Sequence, residues 1–307
     1  MKKAIICILI IITFSVFLCA CVHVDALAQA AAADDLIDHD TANMISLSAR
    51  AFGSAAENIS LEEEYFIGRA VAANILTTYK IWNEKPELTA YLNKICAALV
   101  LNSPQPKNFK GYFVAMLDSD EINAFATSGG HIFVTRGLVG VAKTEDALAS
   151  VIAHEIAHCQ LRHGIKSIKS SRMTQAILFT ATTGIGNAMG MDINELSDVL
   201  TESVGEIVQT MVNKGYSKEQ EYEADIAAMY FLAVAGYQPS AIIDMLKGLE
   251  AVQTVRSGFH RTHPLPVQRI YYAQRALNRF QVEDTSQDRQ ERFTRLRIDI
   301  AAQQAAY

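Results

Sequence analysis

Apolar residues recur at helical spacing over most of the chain and alternate with polar ones in one short region only. Ser60-Leu61-Glu62-Glu63 is a capping box, in which serine and glutamate satisfy each other's free backbone amides, and it opens a helix to about Tyr79. After a break at Asn83–Pro86, Leu88–Leu101 puts Leu92, Ile95, Leu99 and Val100 on one side, and Ser103-Pro104-Gln105-Pro106 ends it. The alternating region follows. Tyr112–Leu117, Asn123–Thr127 and His131–Thr135 are rich in Phe, Val and Ile and are split by turn-forming Asp118-Ser119-Asp120 and Ser128-Gly129-Gly130. They predict a small antiparallel sheet whose outer edge could pair with an extended peptide or simply be an edge.

Thr144–Gly164 is helical again. Thr144 caps it, Glu145 and Asp146 suit its positive end, Gly164 can end it, and Leu148, Val151, Ile152 and Ile156 form its buried face. Ile165–Val212 continues as helix, and its apolar stretch Ala176–Met191 is short for a membrane span and reads as a buried or lid helix. Ser217-Lys218-Glu219-Gln220 is a second capping box, opening a helix to about Ala235. Pro264 and Pro266 open another to about Phe280, and a final helix is expected near Arg292–Ala302. The fold class expected is α+β, mainly helical, with the small sheet beside the Thr144 helix. The domain proper is 61–282, preceded by an Ala-, Asp- and Ser-rich tether over 21–60 and followed by a polar tail over 283–307.

Half of the 307 residues are hydrophobic, enough for one large domain or two small ones. The net charge of −6 is scattered, which argues against nucleic acid as a partner. Met1-Lys2-Lys3 and the uncharged run Ala4–Leu18 form an export signal over residues 1–20. Leu18-Cys19-Ala20-Cys21 resembles a bacterial lipobox with Cys21 as the lipidated residue, although Cys19 departs from the usual pattern. A competing cleavage site is Ala26-Leu27-Ala28, and an uncleaved Ala4–Val22 is just long enough for an anchor. All three readings place the body outside the cytoplasmic membrane. Val22, where an aspartate would commonly retain a lipoprotein in the inner membrane, points to the outer one. With Cys21 lipidated, the mature chain keeps Cys96 and Cys159, between which an oxidising compartment permits a bridge. Cys159 points about 100° away from His158 and reads as a small core residue.

The chemistry concentrates in His154-Glu155-Ile156-Ala157-His158. Residues four apart lie one turn above each other, so two imidazoles can share one tetrahedral metal. Glu155 beside them can accept a proton from a water whose pKa the metal lowers to about 7. That is the arrangement of zinc peptidases. A third ligand is expected from the helix after Ser217: Glu221 supplies a carboxylate, leaving one open position, and Asp225 one turn on can fix the tautomer of His154. The competing view of Glu219, Glu221, Glu223 and Asp225 is a solvated acidic face. His163, five residues past His158 and so about 140° round a continuing helix, is not expected to be a ligand. Leu161 and Gly164 stand where the metzincin pattern needs its Gly and third His.

His154–His158 with Arg162-His163-Gly164, and then Glu221-Tyr222-Glu223-Ala224-Asp225, resembles the CAAX-prenyl-protease superfamily of gluzincins. Over about Leu61–Phe280 the chain is similar to its soluble bacterial branch of the BepA and LoiP type. Asn123-Ala124-Phe125-Ala126 and Gly129–Thr135 resemble that branch's active-site edge strand, and Thr262-His263-Pro264-Leu265 with Arg269 its late His-Pro segment. The resemblance implies a zincin-like fold and one zinc ion on His154, His158 and Glu221, with Glu155 catalytic. It implies Asp225 and Arg269 in support, Asn123–Ala126 as the substrate-binding strand, and His263 either stabilising the oxyanion or plugging the resting site. The implied substrates are misfolded or misassembled envelope proteins. The chain lacks the several spans of the prenyl proteases and the helical repeats of some periplasmic members. A chaperone or assembly factor with a structural or gated zinc site is the rival reading.

Overall fold

The structure is a computed structural model that describes residues 59–166, 214–251, 266–280 and 287–295, with short stretches at 204–205, 207–208, 258, 262–263 and 282–283 between them. The chain divides into Met1–Asn58 and Ile59–Tyr307, and all that follows concerns the second unit. The export signal, Cys21 and the tether lie outside the described residues, as does Ala176–Met191.

Helix α1 (Leu61–Thr78) begins at the Ser60 capping box, where Ser60 N donates to Glu63 at 2.6 Å and Glu63 N to Ser60 Oγ at 3.2 Å. Helix α2 (Pro86–Leu101) starts two residues before the sequence reading. Pro86, read as a breaker, occupies the first turn, where its missing N–H costs nothing. Strands β1 (Phe113–Leu117), β2 (Ala124–Thr127) and β3 (His131–Thr135) match the expected segments to within a residue.

Their pairing does not match. The order is β1-β3-β2, with β3 antiparallel to β2 and parallel to β1, so the sheet is mixed rather than antiparallel. The tight Ser128-Gly129-Gly130 turn, with φ of 79° and 93° at its glycines, makes β2 and β3 a hairpin. The β1–β2 link is longer and carries β2 past the slot that β3 then fills. On its far side β1 is closed by the Asn93 amide, which both donates to and accepts from Val114, and by a bridge to Ile81.

The two faces of the sheet serve separate cores. Val114, Met116, Ala124, Ala126, Ile132 and Val134 pack with α2 and α4 (Glu145–Gln160) in the main core. Leu117, Phe125 and Phe133 face α1 through Ile67, Val71 and Ile75. This is the strand period of two at work. Gly68 lets α1 come close to β2, because a Cβ there would overlap the Ser128 carbonyl.

A short α3 (Arg136–Val141) leads to α4, which is buried along its whole length. Beyond it come α5 (His163–Lys166), α6 (Lys218–Val234), α7 (Ala241–Ala251), α8 (Pro266–Leu277) and α9 (287–295). The stop of α4 also differs from the sequence reading. Leu161 caps the helix and Arg162 takes a left-handed φ of 56°, so Gly164 does not end it but lies within α5. Helix α9 brings Phe293, fully buried, into the main core, so the stretch read as a polar tail contributes a core residue. Among the described residues no helix is long and apolar enough to cross a membrane. Cys96 and Cys159 are free and buried, and the Cys159 thiol donates to the Thr127 carbonyl at 3.3 Å.

Candidate metal centre

Helix α4 starts where Thr144 Oγ1 accepts from Ala147 N at 3.0 Å, and its last turns hold His154, Glu155 and His158, each 2% exposed or less. One turn apart, the two imidazoles lie with centroids 4.6 Å from each other and Nε2 atoms at 3.0 Å. The capping box at Ser217 launches α6, which packs along α4 and brings in Glu221, itself fully buried. Its Oε2 is 3.5 Å from His154 Nε2 and its Oε1 3.5 Å from His158 Nε2. His263 arrives from the segment before α8, with Nδ1 at 3.0 Å from Glu221 Oε1 and 3.3 Å from His154 Nε2. His154, His158, Glu221 and His263 thus offer four donor atoms within 4.8 Å of one another.

A further layer holds these side chains. Asp225 Oδ1 lies 3.0 Å from His154 Nδ1, on the ring edge facing away from the cluster. Arg269, from α8 and 1% exposed, grips Asp225 through Nε at 2.8 Å and Nη2 at 2.6 Å and reaches Glu221 Oε2 through Nη1 at 2.8 Å. Glu221, Asp225 and Arg269 form one buried ionic unit spanning α6 and α8.

The protonation states diverge accordingly. Burial and the Arg269 cation press on His154, but the bonds to Asp225 and Glu221 outweigh them and leave it raised to about 9. Burial, reinforced by the neighbouring His154, holds His158 well below the ordinary histidine value. Glu221 resists its burial because His263 and Arg269 keep its carboxyl well below the usual range. Burial raises Glu155, against the pull of His263 and His154.

Glu155 is the anomaly. It is 1% exposed, neither carboxylate oxygen accepts a hydrogen bond, and His263 Nε2 lies 3.4 Å from its Oε1. Three carboxylates (Glu155, Glu221 and Asp225) share this pocket with the single guanidinium of Arg269. Buried carboxylate and imidazole donors converging within a few ångströms fit a divalent cation, whose charge would offset the cost of burying those carboxylates and would take the place of protons on the imidazoles.

Imidazole and carboxylate donors converging on a glutamate that carries no bond of its own are the equipment of a metal-dependent hydrolase. The profile described as peptidase family M48 matches residues 84–276, more than half of the chain, and the protein belongs to that family. The chain is 28% identical over 241 residues to the beta-barrel assembly-enhancing protease of Escherichia coli (strain K12), covering 76% of this chain and 48% of that one. It is 28% identical over 188 residues to the metalloprotease LoiP of the same organism, covering 61% and 69%. Over 173 residues it is 29% identical to the mitochondrial metalloendopeptidase OMA1 of Schizosaccharomyces pombe, covering 54% and 47%. The chain spans about half the length of the first of these relatives.

The residues expected to act together do meet: His154, Glu155, His158, Glu221, Asp225, His263 and Arg269 form one buried cluster. Asn123–Ala126 lies at the sheet's outer strand, yet none of the four is more than 4% exposed, so this edge is not open in the conformation described. Asn123 is tied to the His263 segment, its Oδ1 accepting from Thr262 Oγ1 at 3.1 Å. Tyr216 and His163 lie against His158, and Glu223 stands behind His163; the sequence pointed to neither Tyr216 nor Glu223 here and turned His163 away from His158. The one available signal for Glu223 was its place between Glu221 and Asp225, where it read as solvated.

Proposed function

We propose that the protein is a zinc-dependent endopeptidase of the bacterial cell envelope that cuts unfolded or misassembled envelope proteins. The observation that carries this reading is the buried pair formed by the His154–His158–Glu221 donor cluster and the unbonded carboxylate of Glu155. Its similarity to a beta-barrel assembly-enhancing protease and to a metalloprotease supports the envelope setting and the protein substrate. Export and anchoring through Cys21, at the outer membrane, are part of the same proposal.

In this reading His154, His158 and Glu221 hold the zinc. When bound, zinc supplies a Lewis acid that acidifies water and polarises the scissile carbonyl. Glu155 takes the proton from the attacking water and later delivers it to the leaving amine, and no hydrogen bond from the protein competes for its oxygens. Asp225 keeps the Nε2 lone pair of His154 turned to the cluster, and Arg269 keeps Asp225 in place. The main chain of Asn123–Ala126 pairs with an extended substrate, which suits recognition of backbone rather than of a particular sequence.

A second reading, of a gated site, has its own observation. His263 stands inside the donor cluster and the β2 edge is buried, so the conformation described is a closed one. Opening requires the Thr262–His263 segment to leave both the metal cluster and Asn123. His263→Ala should then raise proteolysis, whereas a fall would assign His263 to oxyanion stabilisation instead.

The primary test pairs zinc content with casein cleavage for the purified protein and its Glu155→Gln variant. Zinc in both, with cleavage by the parent alone, is the expected result. Zinc in both with cleavage in neither favours the gated or assembly-factor reading, and zinc in neither overturns the ligand assignment.

A further inference from the structure

We propose that His163 and Glu223 form a relay that positions His158: His158 Nδ1–H donates to His163 Nδ1, and His163 Nε2–H donates to Glu223. The inference rests on the reading of His158 as a metal ligand given above. The geometry is a line of three groups leading away from the donor cluster. His158 turns Nε2 toward His154 and Glu221, and its other nitrogen lies 2.8 Å from His163 Nδ1. The opposite nitrogen of His163 lies 3.1 Å from Glu223 Oε2, and Lys166 Nζ stands 3.8 Å from that same oxygen.

The direction of the protons follows by elimination. A carboxylate beside a lysine accepts and does not donate, so the proton on His163 sits at Nε2. His158 turns Nε2 to the donor cluster, so as a ligand it carries its ring hydrogen on Nδ1, and the Nδ1 of His163 facing it is left as the acceptor. Two ring nitrogens at 2.8 Å require one hydrogen between them, and His158 Nδ1 must supply it. That tautomer leaves the Nε2 lone pair of His158 facing the cluster. The reverse arrangement would put a proton where the metal belongs.

The ring is held in other directions too. Tyr216 stacks on His158 at 4.1 Å between centroids and 18° between planes, which resists rotation out of its plane. His163 reaches this place only because α4 stops. On a continuing helix it would sit about 140° away from His158. The left-handed turn at Arg162 breaks that register, and Arg162 is fastened by Glu64 at 2.8 Å and the Ile59 carbonyl at 2.9 Å. His154 receives its support directly from Asp225, and His158 receives it through one intervening imidazole. Both supporting carboxylates come from α6, two residues apart and flanking the same cluster.

The test measures zinc affinity by competition with a chromophoric chelator on the purified full-length protein, with the melting temperature of each zinc-free form recorded alongside. His163→Leu should bind zinc about 10–100-fold more weakly than the parent. His163→Gln, whose carbonyl can accept from His158 while its amide donates to Glu223, should recover most of that loss. Glu223→Ala, a change at a partly exposed side chain, should weaken zinc binding by about tenfold at an unchanged zinc-free melting temperature. Parent-like affinity in His163→Leu, or in Glu223→Ala should the leucine variant not fold, overturns the relay. So does an equal loss in the leucine and glutamine variants, since a packing role alone would produce it. A parent that binds no zinc overturns the metal-site reading itself, which sets that failure apart from failure of the relay.

Discussion

Helix α4 carries a buried ionic cluster at each end, and the two ends are finished differently. At the N-terminal end all four carboxylate oxygens of Glu145 and Asp146 accept bonds. Glu145 receives the hydroxyls of Tyr91 and Tyr237 and both arms of Arg292, with Arg292 Nε at 2.6 Å. Asp146 receives Arg289 through two bonds of 2.6 and 3.0 Å and the Gln238 amide at 3.1 Å. At the other end Glu155, just as buried, accepts nothing. A saturated buried network is an anchor, since every charge has its partner and none is available for chemistry. A buried carboxylate left open is a standing cost that folding alone does not explain, and such costs collect where function needs them.

Substitutions at the two ends should therefore separate activity from stability. The largest effect is expected for Glu155→Gln, which should lower kcat/KM on casein about 10²–10⁴-fold while zinc content holds. The same change removes a buried carboxylate that accepts no hydrogen bond, so urea unfolding of the zinc-free form should show a gain of about 0.5–2 kcal/mol. A loss of stability instead would mean that Glu155 is already satisfied and that the contrast between the ends is false. Asp146→Ala should do the opposite. It removes the carboxylate that Arg289 and the Gln238 amide both bond and should cost about 3–5 kcal/mol in the same unfolding measurement, with zinc per folded chain unchanged. If zinc were lost before the fold loosens, the anchor would be part of the site.

Asp225→Ala, which removes the support behind His154, should weaken zinc binding by about 10–100-fold in chelator competition. Glu219 gives the smallest expected effect. It shares α6 with Glu221, Glu223 and Asp225 but is exposed, so Glu219→Ala should stay within about 0.5 kcal/mol in stability and leave zinc affinity alone. A clear change there would revive the view of this helix as one acidic face.

Reading the chain alone went furthest where the physics is local. Both capping boxes form as read, because Ser60 with Glu63 and Ser217 with Gln220 stand only three positions apart along the chain. The three strands appear in place for a similar reason, each being an apolar run bounded by turn residues. Helix α7 was legible but unread: Ile242, Ile243, Met245, Leu246 and Leu249 recur at helical spacing after Pro239, and all are buried. The pairing of β1 with β3 was not legible, since strand identity says nothing about which neighbour a strand takes. His163 was misplaced by assuming that α4 continues. What ends the helix is Arg162 in a left-handed conformation, held by Glu64 nearly a hundred positions earlier.

The sequence by itself determined that His154 and His158 share a face with Glu155 between them, because the α-helix places residues four apart together wherever it forms. It also determined the helix that carries Glu221 and Asp225. Only the tertiary structure decided that α6 lies against α4 with those carboxylates turned inward, that Arg269 neutralises two of them, and that His263 enters the same cluster. It alone decided which buried carboxylates are paired and which are not. Pairing across a core depends on how whole elements pack, and packing is settled by the joint burial of many apolar side chains, a sum that no local stretch of sequence contains.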